Sequence, residues 1–352
     1  MNTSVEKILH EVKKVIAGKD DVLEKIMMTV LSRGHVLLDD VPGTGKTTTA
    51  LAFSRALGLR YGRIQFTPDV LPSDIVGFSM YHKESGSFAY QPGAVMTNLL
   101  LADEINRTSS KTQSALLEVM EERQVTVDGQ THKLPDPFVV IATQNPVGSA
   151  GTQLLPQAQL DRFMVRLEMG YPDFESQVNI LRDRQQDDPL TQVREVSSAE
   201  ALLEMQRQAQ SVHMADPLLE YVTRLTEATR AHPLVLLGVS PRGALAVCRM
   251  AKSRAFMHGR DYVLPEAEPV PHLGQSPRPA SAPQLDHPLP HGKRPVVQPQ
   301  GGAGAPPGSH LSHGRTSDRL WAVASWVASR LGAEQKRDAG LYSGRKPRRC
   351  GA

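Results

Sequence analysis

The chain has few cysteines and no long apolar run, and each absence excludes a class of protein. Its 352 residues include 2 cysteines, Cys248 and Cys350, which lie far apart, so a disulfide framework and a cysteine zinc site are excluded. No apolar run approaches the roughly 18 residues of a membrane-spanning helix, and the N-terminus lacks a signal-peptide core. We therefore expect a cytoplasmic protein.

The chain also lacks a large excess of positive or negative charge. Lys and Arg number 40 against 37 Asp and Glu, and the resulting net charge of +3 does not by itself indicate a nucleic-acid partner. Hydrophobic residues make up 40% and charged residues 22% of the chain, which is typical of globular proteins. The length allows two domains of ordinary size.

Short apolar runs alternate with helical patterns in the first half of the chain. The runs are bounded as buried parallel strands are, and "TQSALLEVMEER" (112–123) is typical of the helical segments between them. This alternation predicts an α/β fold whose parallel sheet is covered on both faces. The predicted strands are at 36–38, 99–102, 138–141 and 163–167.

Later segments differ in character, and they divide the chain into three parts. Residues 1–172 form the predicted α/β core, in which Asp128-Gly129 marks a hairpin within 123–134. Residues 173–264 carry only helical patterns and predict a small helical domain. Residues 265–310 hold 12 of the 26 prolines, so 265–352 is expected to be a disordered tail with a short helix at 318–331.

The stretch "HVLLDDVPGTGKTTTA" (35–50) predicts a phosphate-binding loop between a strand and a helix. Glycines let backbone N–H groups approach phosphates, a lysine pairs with the β- and γ-phosphates, and the next hydroxyl can bind Mg²⁺. The usual pattern has its first glycine where this chain has Asp40. The predicted nucleotide-binding residues are Pro42, Gly43, Thr44, Gly45, Lys46, Thr47 and Thr48, with Thr47 also a metal ligand.

Two further strands end in polar residues. "NLLLADEINR" places Asp103 and Glu104 at the carboxyl end of a buried strand, where Asp103 can hold Mg²⁺ and Glu104 can polarise the attacking water. "FVVIATQNP" places Asn145 at the end of another strand, where it can contact the water or the γ-phosphate. An Asn-Pro turn explains the last motif nearly as well on local grounds.

Two arginines complete the predicted site. Arg162 precedes a strand in "LPQAQLDRF", and Arg242 follows Ser240 and Pro241 at the start of a helix in "VSPRGALAV". A guanidinium suits the charge that spreads over a phosphoryl group in transfer. For an arginine alone, a surface ion pair is the more common explanation.

Taken together, these motifs resemble the MoxR family of AAA+ ATPases from about Ile16 to Pro265. The resemblance also covers "FTPDVLPSDIVG", "GAVMTNLLLADEINR" and "KTQSALLEVMEERQVTVDG". It implies an AAA+ P-loop core followed by a helical lid, which bind ATP with Mg²⁺. It also implies that Lys46 and Thr47 belong to Walker A, Asp103 and Glu104 to Walker B, Asn145 to sensor 1, Arg242 to sensor 2, and Arg162 to the arginine finger.

The resemblance implies an assembly and partners as well. Such proteins form rings, usually hexamers, in which Arg162 would act on a neighbour's nucleotide and Arg242 on that of its own subunit. They mature or activate other protein complexes, often with partners that carry von Willebrand factor A domains. The segment 66–93 resembles an insertion of this group and, with the hairpin, is expected to act on a client protein. The early onset of the Pro-rich tail predicts a shortened lid.

Two other functions remain open from the sequence. A nucleic-acid motor or transcriptional regulator on the same fold is favoured only by the basic residues near the C-terminus, Arg345, Lys346, Arg348 and Arg349. No recognition helix, stacking aromatics or zinc spacing accompanies them. A nucleotide-binding switch without turnover is the other alternative, and Glu104 argues against it because such a switch does not need this carboxylate.

Overall fold

The computed structural model describes residues 1–39, 43–145, 155–183, 189–233, 235 and 237–265. Apart from Pro265, the predicted tail with its helix at 318–331 lies outside these residues. The strands are β1 Val36–Asp39, β2 Tyr61–Gln65, β3 Gly77–His82, β4 Ser87–Pro92, β5 Leu99–Asp103, β6 Gln124–Val127, β7 Gln130–Lys133, β8 Val139–Gln144 and β9 Val165–Leu167. The α-helices are α1 Thr3–Lys13, α2 Asp20–Leu31, α3 Lys46–Ala56, α4 Pro72–Val76, α5 Ser110–Glu122, α6 Gln157–Leu160, α7 Phe174–Asp183, α8 Ala199–Ser211, α9 Asp216–Ala231 and α10 Pro241–Met257.

Five strands form the predicted parallel sheet, in the order β2-β5-β8-β1-β9. Every neighbouring pair is parallel, with Val36 of β1 opposite Ile141 of β8 on one side and Val165 of β9 on the other. The carboxyl ends of β1, β5 and β8 therefore lie side by side. The polar residues that follow these strands are brought to one edge of the sheet.

Alternate residues of the central strands enter two separate cores. Leu99, Leu101, Val139 and Ile141 pack in one cluster with the N-terminal helices, and Leu100 and Val140 pack with α5 in the other. All six side chains are fully buried. This burial on both faces is why the strands are continuous apolar runs rather than alternating ones, and it confirms the covered α/β sheet.

Two helices of the later part of the chain, α8 and α10, pack on the N-terminal helices. Ser253 of α10 lies 2.7 Å from the Ser32 hydroxyl after α2, and the Gln206 amide of α8 donates to the Val30 carbonyl at 2.8 Å. Buried Leu202 and Met250 belong to the same apolar cluster as α1 and α2. All described residues fall within one compact unit.

Two antiparallel hairpins project from the core. The pair β3–β4 lies in the segment 66–93, and β6–β7 lies where Asp128-Gly129 predicts a hairpin, with both turn residues at positive φ (49° and 80°). The Tyr90 ring of the first hairpin stacks on the His132 ring of the second, with centroids 3.9 Å apart. The two hairpins are thus in direct contact.

Candidate nucleotide-binding and hydrolysis site

The phosphate loop turns through two glycines with left-handed backbone angles. Gly43 has φ 87° and Gly45 has φ 90°, a conformation that side chains with a Cβ adopt only with strain. α3 begins directly afterwards at Lys46, so its first N–H groups and its positive dipole end lie at this loop. Pro42, like Asp40, lies outside the described residues. Thr44, Thr47 and Thr48 are half-buried beside the loop.

Lys46 connects the loop with the end of β8. Its side chain is buried, and Nζ donates to the Gln144 carbonyl and to Asn145 Oδ1, each at 3.4 Å. A buried ammonium requires such polar partners. The lysine thus lies beside Asn145, as a residue that meets a nucleotide's terminal phosphates would.

Asp103 is held at the end of β5 by partners from both neighbouring strands. Thr143 Oγ1 of β8 donates to one carboxylate oxygen at 2.7 Å, and Arg63 of β2 donates to the other at 2.7 Å. This hydrogen bond from Arg63 to Asp103 raises the pKa of the guanidinium. The carboxyl group is therefore buried, paired with Arg63 and fixed in orientation.

Glu104 adopts a strained backbone and faces Asn145. Its φ of 58° is in the left-handed region, and strain of this kind costs about 1–3 kcal/mol unless the surrounding structure enforces it. The Thr143 hydroxyl accepts from the Glu104 N–H at 2.8 Å and helps to enforce it. Asn145 Nδ2 donates to Oε1 at 2.9 Å, and Arg107 donates to Oε2 at 2.6 Å. Burial raises the pKa of Glu104, but these hydrogen bonds outweigh it and hold the pKa below its ordinary value.

Asn145 is fixed by a second asparagine. Asn106 Nδ2 donates to the Asn145 carbonyl at 3.1 Å, and both residues are buried. Asn145 in turn contacts Lys46 through Oδ1 and Glu104 through Nδ2. The amide therefore joins the predicted phosphate ligand to the predicted base in one hydrogen-bond network.

Arg162 and Arg242 lie at the opposite edge of the sheet. Arg162 precedes the amino end of β9, whereas the phosphate loop follows the carboxyl end of β1, and these strands are parallel neighbours. The four residues of β1 span about 13 Å, which is longer than an arginine side chain. Both arginines instead contact Glu121 at the end of α5, Arg162 through Nε at 3.2 Å and Arg242 through Nη2.

The docking of α10 decides where Arg242 lies. The sequence resemblance implies that it acts on its own subunit's nucleotide, but the structure groups it with Arg162, away from the phosphate loop. The physical reason is the anchoring of α10: Ser240, its N-cap, lies 2.9 Å from both carboxylate oxygens of Asp161, the residue before Arg162.

Comparison with known proteins places this geometry in a family. The ATPase family associated with various cellular activities (AAA) matches residues 35–165, and an AAA lid domain matches 227–267. Chaperone MoxR1 of Mycobacterium tuberculosis is 41% identical over 272 residues, which cover 75% of this chain and 72% of that protein. The chain belongs to the MoxR family of AAA+ ATPases.

Two further likenesses agree with the MoxR assignment. The uncharacterized protein YeaC of Bacillus subtilis is 48% identical over 260 residues, covering 74% of this chain and 81% of YeaC. A crystal structure from Cytophaga hutchinsonii, of a protein assigned as an ATPase, matches with a TM-score of 0.68 at 38% identity and covers 74% of this chain and 82% of that one. This MoxR-family chain is thus a nucleotide-binding ATPase.

Several residues of the MoxR site are not apparent from the sequence. Arg63 sits in an edge strand whose mixed sequence gives no strand signal. Thr143 directly follows an apolar run, and the sequence shows a polar strand end there but not its hydrogen bonds with Asp103 and Glu104. Arg107 follows the acidic pair by three residues, at a spacing that allows its ion pair with Glu104. Glu121 is one of several helical carboxylates, and only its contacts with the two arginines distinguish it.

Proposed function

We propose that this protein is a ring-forming ATPase in which each site is shared by two subunits, and that hydrolysis drives chaperone-like maturation of partner proteins. Lys46, Glu104 and Asn145 lie at the carboxyl edge of the sheet, and Arg162 and Arg242 lie at the amino edge. This separation is the observation that carries the proposal. The phosphate cradle, formed by the loop 43–46 with Glu104 and Asn145, contains Lys46 but neither Arg162 nor Arg242. A single subunit presents those two arginines at the other edge of its sheet.

Each residue of the cradle has a defined task in this proposal. The backbone N–H groups around Gly43 and Gly45 hold the phosphates, and Lys46 neutralises the β- and γ-phosphate oxygens. Glu104, with its lowered pKa, is a carboxylate at neutral pH and accepts a proton from the attacking water. Asn145, which already hydrogen-bonds Glu104, orients that water against the γ-phosphate.

The oxygen donors beside the loop fit Mg²⁺. Among the described residues, no group of three or more His, Cys, Asp or Glu can hold a metal by itself. The Thr47 hydroxyl and the Asp103 carboxylate instead supply two oxygen ligands. Mg²⁺ usually binds to such a small number of protein oxygens together with the phosphates of a substrate. When bound, Mg²⁺ neutralises charge that develops on the phosphates during transfer.

The arginines of the next subunit would complete the site. Because Arg162 and Arg242 converge on one carboxylate, they are spaced to grip one small anion. A terminal phosphate of the neighbouring subunit is the corresponding ligand in a head-to-tail ring. Loss of such an arginine typically costs about 10³ to 10⁵ in rate. A hexamer is the expected ring.

The chaperone-like role rests on the family and on the two hairpins. One relative is named a chaperone, MoxR1. Phe88 at the β3–β4 hairpin has 72% of its surface exposed, and Phe78 has 49%, as suits a surface that contacts other proteins. Partners with a von Willebrand factor A domain remain an expectation from the family. None of the described helices has the length and apolar character needed to cross a membrane.

A mixing experiment tests the shared site. Lys46→Ala removes the cradle's cation and Arg162→Ala removes the neighbour's, so each variant alone should hydrolyse ATP at a small fraction of the wild-type rate. An equimolar mixture should regain turnover, because about a quarter of head-to-tail interfaces pair an intact Lys46 with an intact Arg162.

The control is a double variant that carries both substitutions on one chain, mixed with either single variant. Such mixtures contain no interface with both residues intact and should stay inactive. If the two single variants also fail to restore each other while still assembling with wild type, the shared site is wrong. If Arg162→Ala alone keeps full turnover, the arginine has no part in hydrolysis.

A further inference from the structure

A cleft at the amino edge of the sheet is rich in arginine. It encloses about 440 Å³ between the end of α5, the approach to β9 and the start of α10. Its lining carboxylates are Glu121 and Asp161. The arginines that line it are Arg33, Arg123, Arg162, Arg242 and Arg249. Positive charge thus exceeds negative charge in the lining.

The partners of these groups single out Glu121. Asp161 accepts a hydrogen bond from Ser240, and Arg33 pairs with Asp136. Burial lowers the pKa of Arg123, and the nearby charges of Arg33 and Arg249 lower it further. Glu121 alone, among the described residues, contacts both of the arginines proposed to act on the neighbour's nucleotide.

The Glu121 carboxylate occupies the place that an anionic ligand of the two arginines would take. Oε1 of Glu121 accepts from Arg242 Nη2, and Oε2 lies 3.2 Å from Arg162 Nε. One arginine comes from the core and the other from the lid helix α10, and they meet at a two-oxygen anion. A terminal phosphate offers the same convergence with more charge and a third oxygen.

The contact is also weak enough to exchange. The three side chains keep between 31% and 47% of their surface exposed, so water screens both ion pairs. No buried charge is left unpaired if Glu121 is released. A more highly charged anion that enters the cleft can therefore displace it.

We propose that Glu121 is a positioning residue that holds Arg162 and Arg242 together in the unassembled subunit and is displaced by the γ-phosphate of a neighbour's ATP. This rests on the proposed shared site. Glu121 keeps the core and lid arginines converged, and it also competes with the incoming phosphate. Assembly through this interface then responds to the terminal phosphate rather than to nucleotide in general.

The test compares Glu121→Gln with Glu122→Gln. Glutamine keeps the size of the side chain and removes the competing charge, and Glu122 is the adjacent exposed carboxylate that contacts neither arginine. Assembly is followed by sedimentation velocity against protein concentration, with ATPγS and Mg²⁺, with ADP and Mg²⁺, and without nucleotide. Thermal unfolding of each variant checks the fold.

With ATPγS, Glu121→Gln should lower the concentration for half-assembly by at least about threefold relative to wild type and Glu122→Gln, because no anion has to be displaced. The ADP curves should coincide, since ADP has no γ-phosphate. An unchanged or raised half-assembly concentration with ATPγS, or equal shifts with ATPγS and ADP, would overturn the role of Glu121. If Arg162→Ala and Arg242→Ala also leave ATPγS-dependent assembly and turnover unchanged, the shared site itself fails.

Discussion

At the scale of single residues, the polar groups at the ends of β5 and β8 form one hydrogen-bond network with Lys46. Lys46, Asn145 and Glu104 form a chain of hydrogen bonds, and Thr143 connects that chain to Asp103. Buried polar groups that satisfy one another hold their orientation. The network therefore presents a cation and two carboxylates in fixed positions before any nucleotide binds.

Replacement of Glu104 by Gln should separate binding from hydrolysis. The amide keeps the size of the side chain but cannot accept the proton of water, so the turnover number should fall by about 10² to 10⁴. Fluorescent ATP-analogue affinity should remain near that of wild type. Glu118→Gln, on the exposed face of α5, is the control and should change neither quantity. Turnover that survives in Glu104→Gln would remove this residue as the base.

His35 makes stability depend on pH. Its ring is buried, with Nδ1 accepting from the Val140 N–H and Nε2 3.0 Å from the Met120 carbonyl, and burial lowers its pKa from 6.5 to about 4. Below pH 6.5 His35 therefore takes up a proton in the unfolded chain, whereas in the folded chain it stays neutral until about pH 4. The free energy of unfolding should fall by about 3 kcal/mol between these two pKa values.

Urea unfolding across this pH range measures the effect. His35→Gln should be less stable near neutral pH, but its free energy of unfolding should fall less steeply on acidification. His10→Gln, at an exposed position of α1, should keep the wild-type slope. Equal slopes for His35→Gln and wild type would contradict the assignment.

At the scale of elements, strand burial decided what the sequence could predict. β1, β5 and β8 are buried on both faces and appear in the sequence as apolar runs, so their positions and the polar residues at their ends were predicted. β2 is an edge strand with half-exposed residues, and its "YGRIQ" sequence carries no such run. The ion pair between Arg63 and Asp103 therefore follows only from the pairing of β2 with β5 in the folded chain.

The N-cap of α10 provides a test at this scale. Ser240 accepts from the Gly243 N–H at 3.0 Å and also contacts Asp161, so it fixes the helix that carries Arg242. Ser240→Ala should lower the free energy of unfolding by about 1 kcal/mol, as N-cap removal usually does. It should also lower ATP turnover, because Arg242 loses its anchor.

Ser198→Ala is the matched variant. Ser198 caps α8 by accepting from the Ala201 N–H at 3.2 Å, and it is half-buried at a position that contacts neither arginine. Its loss should reduce stability by a similar amount, measured by denaturant unfolding, and leave turnover unchanged. If both variants reduce turnover equally, the effect reports general loosening rather than the position of Arg242.

At the scale of the whole molecule, the proposed shared site divides its residues between two edges of one sheet. The cradle lies at the carboxyl ends of the strands and the arginine pair at the amino ends. The two groups are therefore separated by about the length of one strand. In the proposed ring, head-to-tail association of copies would bring the cradle of one subunit to the arginines of the next. Protein concentration should then control activity.

Dilution tests this dependence. ATP turnover per subunit should fall steeply as the protein is diluted below its assembly range, since each site needs a neighbour's arginines. Nucleotide affinity of the cradle should change much less, because Lys46 and the glycine loop belong to one chain. Stopped assays at graded protein concentrations measure turnover, and a constant turnover per subunit down to the monomeric range would contradict a shared site.

The sequence by itself determined the class of fold, the phosphate loop and the acidic strand end, because these depend on local patterns: apolar runs, glycine spacing and the residues directly after a strand. Tertiary structure alone decided which groups meet across the chain. Arg63 reaches Asp103 over 40 positions, and Glu121 and Arg242 are 121 positions apart. Such contacts depend on how the strands are ordered in the sheet and where the last helix docks, and no local pattern of side chains encodes either.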